Sequence, residues 1–171
     1  MNKPSFLREF DHTFSTLLEL LSSFSQEQLN TVPFAGSWTA GQVGRHLQKG
    51  SPEEVLYGPV RPTERQPDEK VEELRMIFLN FDTRLQSPDF VLPEEGTYHK
   101  EALVSALQQT IARVREAVAT RDMSATCTAF ALPVMGELTG EEWATFYLVH
   151  TQRHIQQLKR IYKAIMGKVY A

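Results

Sequence analysis

Cysteine is nearly absent. Cys127, alone among 171 residues, has no partner for an intrachain disulfide and no second thiol for a cysteine-based zinc or redox pair. A reducing cytoplasm is therefore the expected compartment. Long apolar runs are missing as well. No stretch reaches the roughly 18 consecutive apolar residues of a membrane span, and the opening segment MNKPSFLREFDHTF carries charges where a signal peptide needs uninterrupted apolar sequence. Neither a membrane nor a secretory route is expected. An excess of one charge is also lacking: 18 Lys and Arg stand against 21 Asp and Glu, a net charge of −3, and the basic residues are dispersed. A nucleic-acid partner calls for a concentrated basic face, so none is expected. Finally, no segment alternates with the two-residue period of a half-buried strand, and there is no internal repeat or low-complexity tract. The length suits one domain spanning residues 1–171 with a substantial buried core.

What the chain does have is helical periodicity. Phe6, Phe10, Phe14, Leu17, Leu21 and Phe24 recur at steps of three or four, which predicts a first helix over about 4–24. Ser25 and Gln28 have capping-box spacing and suggest one short turn before Pro33 and Gly36. Thr39 and Gln42 repeat that spacing, so a second helix is predicted from Ala40 to at least Lys49, with Gly50-Ser51-Pro52 interrupting or restarting it. Pro59, Pro62 and Pro67 mark an irregular connection. A third helix is predicted over about 68–85, burying Val71, Leu74, Ile77, Phe78, Phe81 and Leu85. A fourth is predicted over about 98–120 behind a Thr97 cap, with Leu103, Leu107, Ile111, Val114 and Val118 inward. Residues 121–138 read as loop. The last helix opens at the capping box Thr139-Gly140-Glu141-Glu142 and continues to Ile165, with Gly167 as its stop. The expected fold is all-α, a bundle of four or five helices.

Five histidines punctuate these helices, at 12, 46, 99, 150 and 154. Stepping about 100° per residue from Trp143, His150 falls near 340° and His154 near 20°, with Ile161 back at about 0°. Both imidazoles thus centre on the apolar stripe of the last helix. Buried polar rings need partners, since an unpaired polar group costs about 1 to 3 kcal/mol. A shared metal ion satisfies two histidines at i and i+4 at once, and another helix must then complete the shell. His46, beside Val43 and Leu47 on the well-capped second helix, is the natural third ligand. The alternative is that His150 and His154 are core histidines bonded to carbonyls or to each other, with His46 partly exposed. His12 lies about 200° from the apolar stripe of its helix and His99 sits in a first helical turn, so both are read as surface residues.

The segment between the paired histidines, Thr151-Gln152-Arg153, lacks the glutamate of the H-E-x-x-H proteases, which excludes that class. Gln157, near 320° on the same face, and Gln42, one turn before His46, are either supporting contacts or, the favoured reading, solvated side chains. Trp38 and Trp143 stand beside helix starts and are read as covers over bundle ends. Cys127, in an uncharged run, is read as a structural thiol. Glu53-Glu54, Asp68-Glu69-Lys70 and Glu72-Glu73 read as solvated faces.

The ordered pair Ser-Trp-Thr-Ala-Gly-Gln-Val-Gly-Arg-His46-Leu and Glu-Glu-Trp-Ala-Thr-Phe-Tyr-Leu-Val-His150-Thr-Gln-Arg-His154-Ile-Gln-Gln-Leu resembles the DinB/YfiT-like superfamily of metalloenzymes. The resemblance runs through nearly the whole chain in helix order. It implies an up-and-down four-helix bundle with an additional short helix, a nickel or zinc ion held by His46, His150 and His154 with water completing the sphere, and a homodimer. Characterised relatives include transferases and isomerases that use bacillithiol, mycothiol or glutathione, together with some metal-dependent hydrolases. The implied activity is therefore S-transfer between a low-molecular-weight thiol and a small electrophile, or hydrolysis. The alternative is a non-catalytic bundle, with or without metal, that acts through dimerisation or partner binding. An open coordination position facing a pocket favours the enzyme, and a fourth protein ligand favours the scaffold.

Overall fold

Local sequence starts each long helix at a definable place in the computed structural model, which describes residues 1–169 and side chains through Gly167. Helix α1 (Lys3–Ser23) has Pro4 in its first turn, where a missing N–H costs nothing, and the Asn2 side chain accepts from the N–H of Ser5. The short α2 (Gln26–Leu29) and the longer α3 (Ala40–Lys49) both begin with complete capping boxes, Ser25 with Gln28 and Thr39 with Gln42. Gly50 ends α3, and the chain restarts after Pro52 as α4 (Glu53–Tyr57). Helices α5 (Val71–Leu79), α6 (Lys100–Thr120) and α7 (Gly140–Val169) follow.

Helices α1, α3, α6 and α7 form a four-helix bundle, with α5 laid along α7. Its core is built from the predicted stripes. Phe10 and Phe14 of α1 meet the Tyr147 ring of α7, with the Phe14 and Tyr147 centroids 4.7 Å apart. Where α3 crosses α6, Gly44 leaves room for Leu103, whose Cδ2 would stand only 3.0 Å from a Cβ at that position. This close crossing seats α3 deep enough to bury His46, three residues from its end.

Four expectations are corrected. The helix predicted over 68–85 is confined to Val71–Leu79, and Phe81 and Leu85 are exposed rather than buried. Asn80 ends it: its side-chain oxygen accepts the N–H of Asp82, a local bond that competes with the helical ladder. Helix α6 starts behind His99 instead of Thr97, because the Lys100 N–H is satisfied by Gln26 Oε1 from the distant α2. The 121–138 segment contains a strand, β2 (Thr126–Cys127), paired antiparallel with β1 (Val60–Arg61) in the register Val60 to Cys127 and Arg61 to Thr126. Two residues are too few to show an alternating pattern. Helix α7 also passes through Gly167 to Val169 rather than stopping there. No helix among the described residues is long and apolar enough to cross a membrane.

Candidate metal centre

The bundle brings the three histidines of the predicted trio together. His46 from α3 and His150 and His154 from α7 are all buried, and their candidate ligand atoms lie within 4.8 Å of one another. His150 Nε2 is the hub, 3.1 Å from His46 Nε2 and 3.0 Å from His154 Nε2. Three nitrogens bound at about 2.0 to 2.1 Å around one ion stand roughly 2.8 to 3.0 Å apart in an octahedral shell and roughly 3.3 to 3.4 Å apart in a tetrahedral one, a range of roughly 2.8 to 3.4 Å. The two hub distances match that spacing. His12 and His99 are exposed and outside the cluster, His12 as its helical phase predicts, and His99, expected in a first helical turn, at the N-cap of α6.

The hydrogen bonds behind the rings decide where their protons sit. His46 Nδ1 lies 2.9 Å from the carbonyl oxygen of Val91, which can only accept, so Nδ1 carries the proton and Nε2 presents a lone pair. His154 Nδ1 lies 2.7 Å from Gln157 Oε1 and donates to it, leaving its Nε2 a lone pair as well. His150 Nε2 therefore faces two acceptors. A single N–H there could serve only one of them, whereas a cation at the meeting point satisfies all three nitrogens. The donor set thus fits a divalent transition metal, with carbonyl and amide partners orienting two ligands from behind. The third ring is fixed by packing: His150 stacks on Phe146 at 5.2 Å and 12° and meets Phe78 edge-on at 5.7 Å. Its Nδ1 is buried with no hydrogen-bond partner among the described residues.

Burial also sets protonation. Desolvation pushes all three imidazoles below their usual range, His150 well below it and His154 down to about 3, and the neighbouring histidines and Arg153 add repulsion for His150 and His154. Lys49 acts in the same direction on His46. The trio is neutral near pH 7, the state in which imidazole ligates a metal.

The three rings form the floor of an open cavity of about 850 Å³. Its walls are largely apolar: Phe78 of α5 and Trp143 and Phe146 of α7 stand on helices that the apolar periodicity predicts, while Phe90 beside Val91 and the 129–135 stretch come from segments that carried no sequence signal. Among the described residues no fourth His, Cys, Asp or Glu joins the cluster. Trp38 and Trp143, expected to cover bundle ends, instead border the site. Trp38 packs on the His46 ring at 5.1 Å, and Trp143 lines the cavity. Gln157 supports His154, against the solvated reading, while Gln42 is spent on capping α3 through the Thr39 N–H. Cys127 is buried with its thiol pKa pushed up to about 11 by desolvation, which fits the structural role expected of it.

Phe146 was within reach of sequence reasoning, standing four residues before His150 on the same stripe. The Val91 contact was not, because a backbone carbonyl has no residue signature.

Fold and site together define a helical bundle with a candidate three-histidine metal centre at the base of a cavity. The chain belongs to the DinB superfamily, whose family model matches residues 9–158, a span that includes all three histidines. Among solved structures, the crystal structure of TT2238, a four-helix bundle protein, aligns with a TM-score of 0.58 and 19% identity, covering 93% of this chain and 99% of that one. At that identity the likeness bears on the fold alone. No curated protein matches the chain.

Proposed function

We propose that this protein is a metal-dependent enzyme that joins a low-molecular-weight thiol to a small electrophile or hydrolyses a small substrate, with His46, His150 and His154 holding a zinc or nickel ion. The observation that carries this reading is the convergence of three neutral imidazole nitrogens at the inner end of an open cavity, with no fourth protein ligand among the described residues. A structural metal site closes its sphere with protein, whereas a catalytic one leaves a position free. An all-imidazole donor set suits zinc and nickel among the common divalent metals. When bound, the ion supplies a Lewis acid that lowers the pKa of a thiol or a water to near neutrality.

The chain's own residues supply the rest. Val91 and Gln157 hold the imidazoles of His46 and His154 with their Nε2 atoms inward. Phe78, Phe146 and Trp143 give a substrate an apolar surface next to those rings and keep bulk water off one side of them. The cavity is roomy enough for two small molecules side by side, as bimolecular transfer requires.

The test is a panel of small electrophiles incubated with the metal-loaded protein, with and without glutathione or bacillithiol. Metal-dependent consumption that needs the thiol assigns S-transfer, and consumption without it assigns hydrolysis. A panel in which no substrate is consumed above the His150→Ala background contradicts the enzymatic reading.

A further inference from the structure

Most charges around the cavity are answered by opposite charges. Arg45 binds Glu94 through Nε at 2.8 Å and Nη2 at 3.2 Å, and Lys49 reaches the same carboxylate at 3.1 Å. Glu53 pairs with Arg113 at 3.4 Å. Glu54 also lines the cavity, from the exposed side of α4. Arg153 is different. It lines the cavity from α7 between His150 and His154, it is half-buried, and among the described residues it pairs with no carboxylate.

The hydrogen bonds Arg153 does make leave its charge standing. Nη1 donates to the carbonyls of Asn80 at 2.7 Å and Phe78 at 3.4 Å, and Nη2 donates to the carbonyl of Thr83. These contacts hold the guanidinium against the end of α5, but carbonyl oxygens carry only partial charge. Nε makes no hydrogen bond among the described residues. The carboxylates that line the cavity, Glu53 and Glu54, form no ion pair with Arg153. A half-buried guanidinium held in place beside an aromatic-walled cavity is a recognition element for an anion, and its Nε–Nη2 edge, which those carbonyls leave partly unengaged, fits a carboxylate.

We propose that Arg153 anchors the carboxylate of a small organic acid whose apolar body lies against Phe78, Phe146 and Trp143. This inference rests on the same cavity as the proposed function and names the class of molecule it takes. The carboxylate can belong to the substrate or to the thiol that reacts with it, and the two sources are separable by experiment.

The measurement uses the metal-free full-length protein, so that it does not depend on catalysis. Intrinsic tryptophan fluorescence, reporting from Trp143 in the cavity wall, is titrated with 3-phenylpropanoate, with its neutral isostere 3-phenylpropanamide, and with glutathione, on the wild type and on Arg153→Gln and Arg153→Lys. The expected result is that the wild type binds the acid at least about tenfold more tightly than the amide, a free-energy difference of about 1.4 kcal/mol. Arg153→Gln loses that preference, and Arg153→Lys keeps part of it. Arg153-dependent binding of glutathione without binding of 3-phenylpropanoate assigns the carboxylate to the thiol. Equal binding of acid and amide, or no binding of any of the three at millimolar concentration, overturns the proposal. The acid and amide comparison on the wild type stands even if the variants fold poorly. Zinc or nickel uptake by the same wild-type preparation after reloading separates failure of this inference from failure of the metal centre.

Discussion

His154 illustrates how much of the site depends on single atoms behind the ligands. Its Nδ1 proton goes to Gln157 Oε1 at 2.7 Å, and that bond holds Nε2 deprotonated and pointed at His150. Substituting Gln157 by Leu removes the acceptor without removing a ligand. Metal affinity, measured by competition with a chromogenic chelator, is expected to fall about 10- to 100-fold, the usual effect of losing an orienting partner. Unchanged affinity would show that packing alone orients the ring. Burial of the three imidazoles has a consequence for pH as well. In the unfolded metal-free chain they take up protons below about pH 6.5, while in the folded state desolvation keeps them neutral to lower pH, His154 to about 3. The unfolded state binds more protons in that window, so stability is fully present above about pH 6.5 and is lost as pH falls toward the folded values. The slope approaches about 1.4 kcal/mol per pH unit for each histidine. Urea midpoints in chelator should therefore be lower at pH 5.5 than at pH 7.5. The dependence should flatten in His150→Phe, and equal midpoints in the wild type would contradict buried neutral imidazoles.

The elements that carry the site owe their positions to their starts. Thr39 and Gln42 satisfy each other's backbone N–H groups at the head of α3, and Thr39→Ala is expected to cost about 1 kcal/mol in denaturant unfolding. The start of α7 is tied down more heavily. Glu142, fully buried, accepts from Arg65 at 2.5 and 2.7 Å and from the N–H groups of Lys70 and Thr139 at 2.9 Å each. Burial alone pushes its pKa up, but these donors outweigh desolvation and hold the carboxyl below its usual range. Glu142→Ala leaves the Arg65 guanidinium without its partner and should cost about 3 to 5 kcal/mol, several times the Thr39→Ala effect. A loss within 1 kcal/mol of that for Thr39→Ala would show that the chain readily resolvates Arg65. Both capping boxes are visible in the sequence because the bonding partners stand three residues apart, and the long apolar stripes of α1, α6 and α7 are visible for a similar reason. The shortening of α5 is not, because Phe81 and Leu85 continue an apolar rhythm that the Asn80 turn interrupts. Nor is the start of α6, which is decided by Gln26 from another element.

At the scale of the whole molecule, the fold brings together residues that are distant in the chain. His46 and His150 stand 104 positions apart, yet their Nε2 atoms are 3.1 Å from each other. Helical phase places His150 and His154 on the apolar face of the last helix, His46 is the candidate third from its place beside Val43 and Leu47 on the capped second helix, and the fold brings the three together. The cavity above them was not legible. Much of its wall comes from the 85–91 and 129–135 stretches, irregular over much of their length, and no periodicity says which way such segments turn. The histidine cluster and the cavity wall therefore differ in how far sequence reveals them, the first being written in helix faces and much of the second in loops. The central claim is that three neutral imidazoles share one cation, and elemental analysis of the untagged protein addresses it most directly. The account predicts about one zinc or nickel ion per chain in the wild type, after loading if purification strips it, and a loss of at least about 90% in His150→Ala of preserved helicity. A wild-type chain that takes up neither metal, or a folded His150→Ala that keeps a full complement, would contradict it.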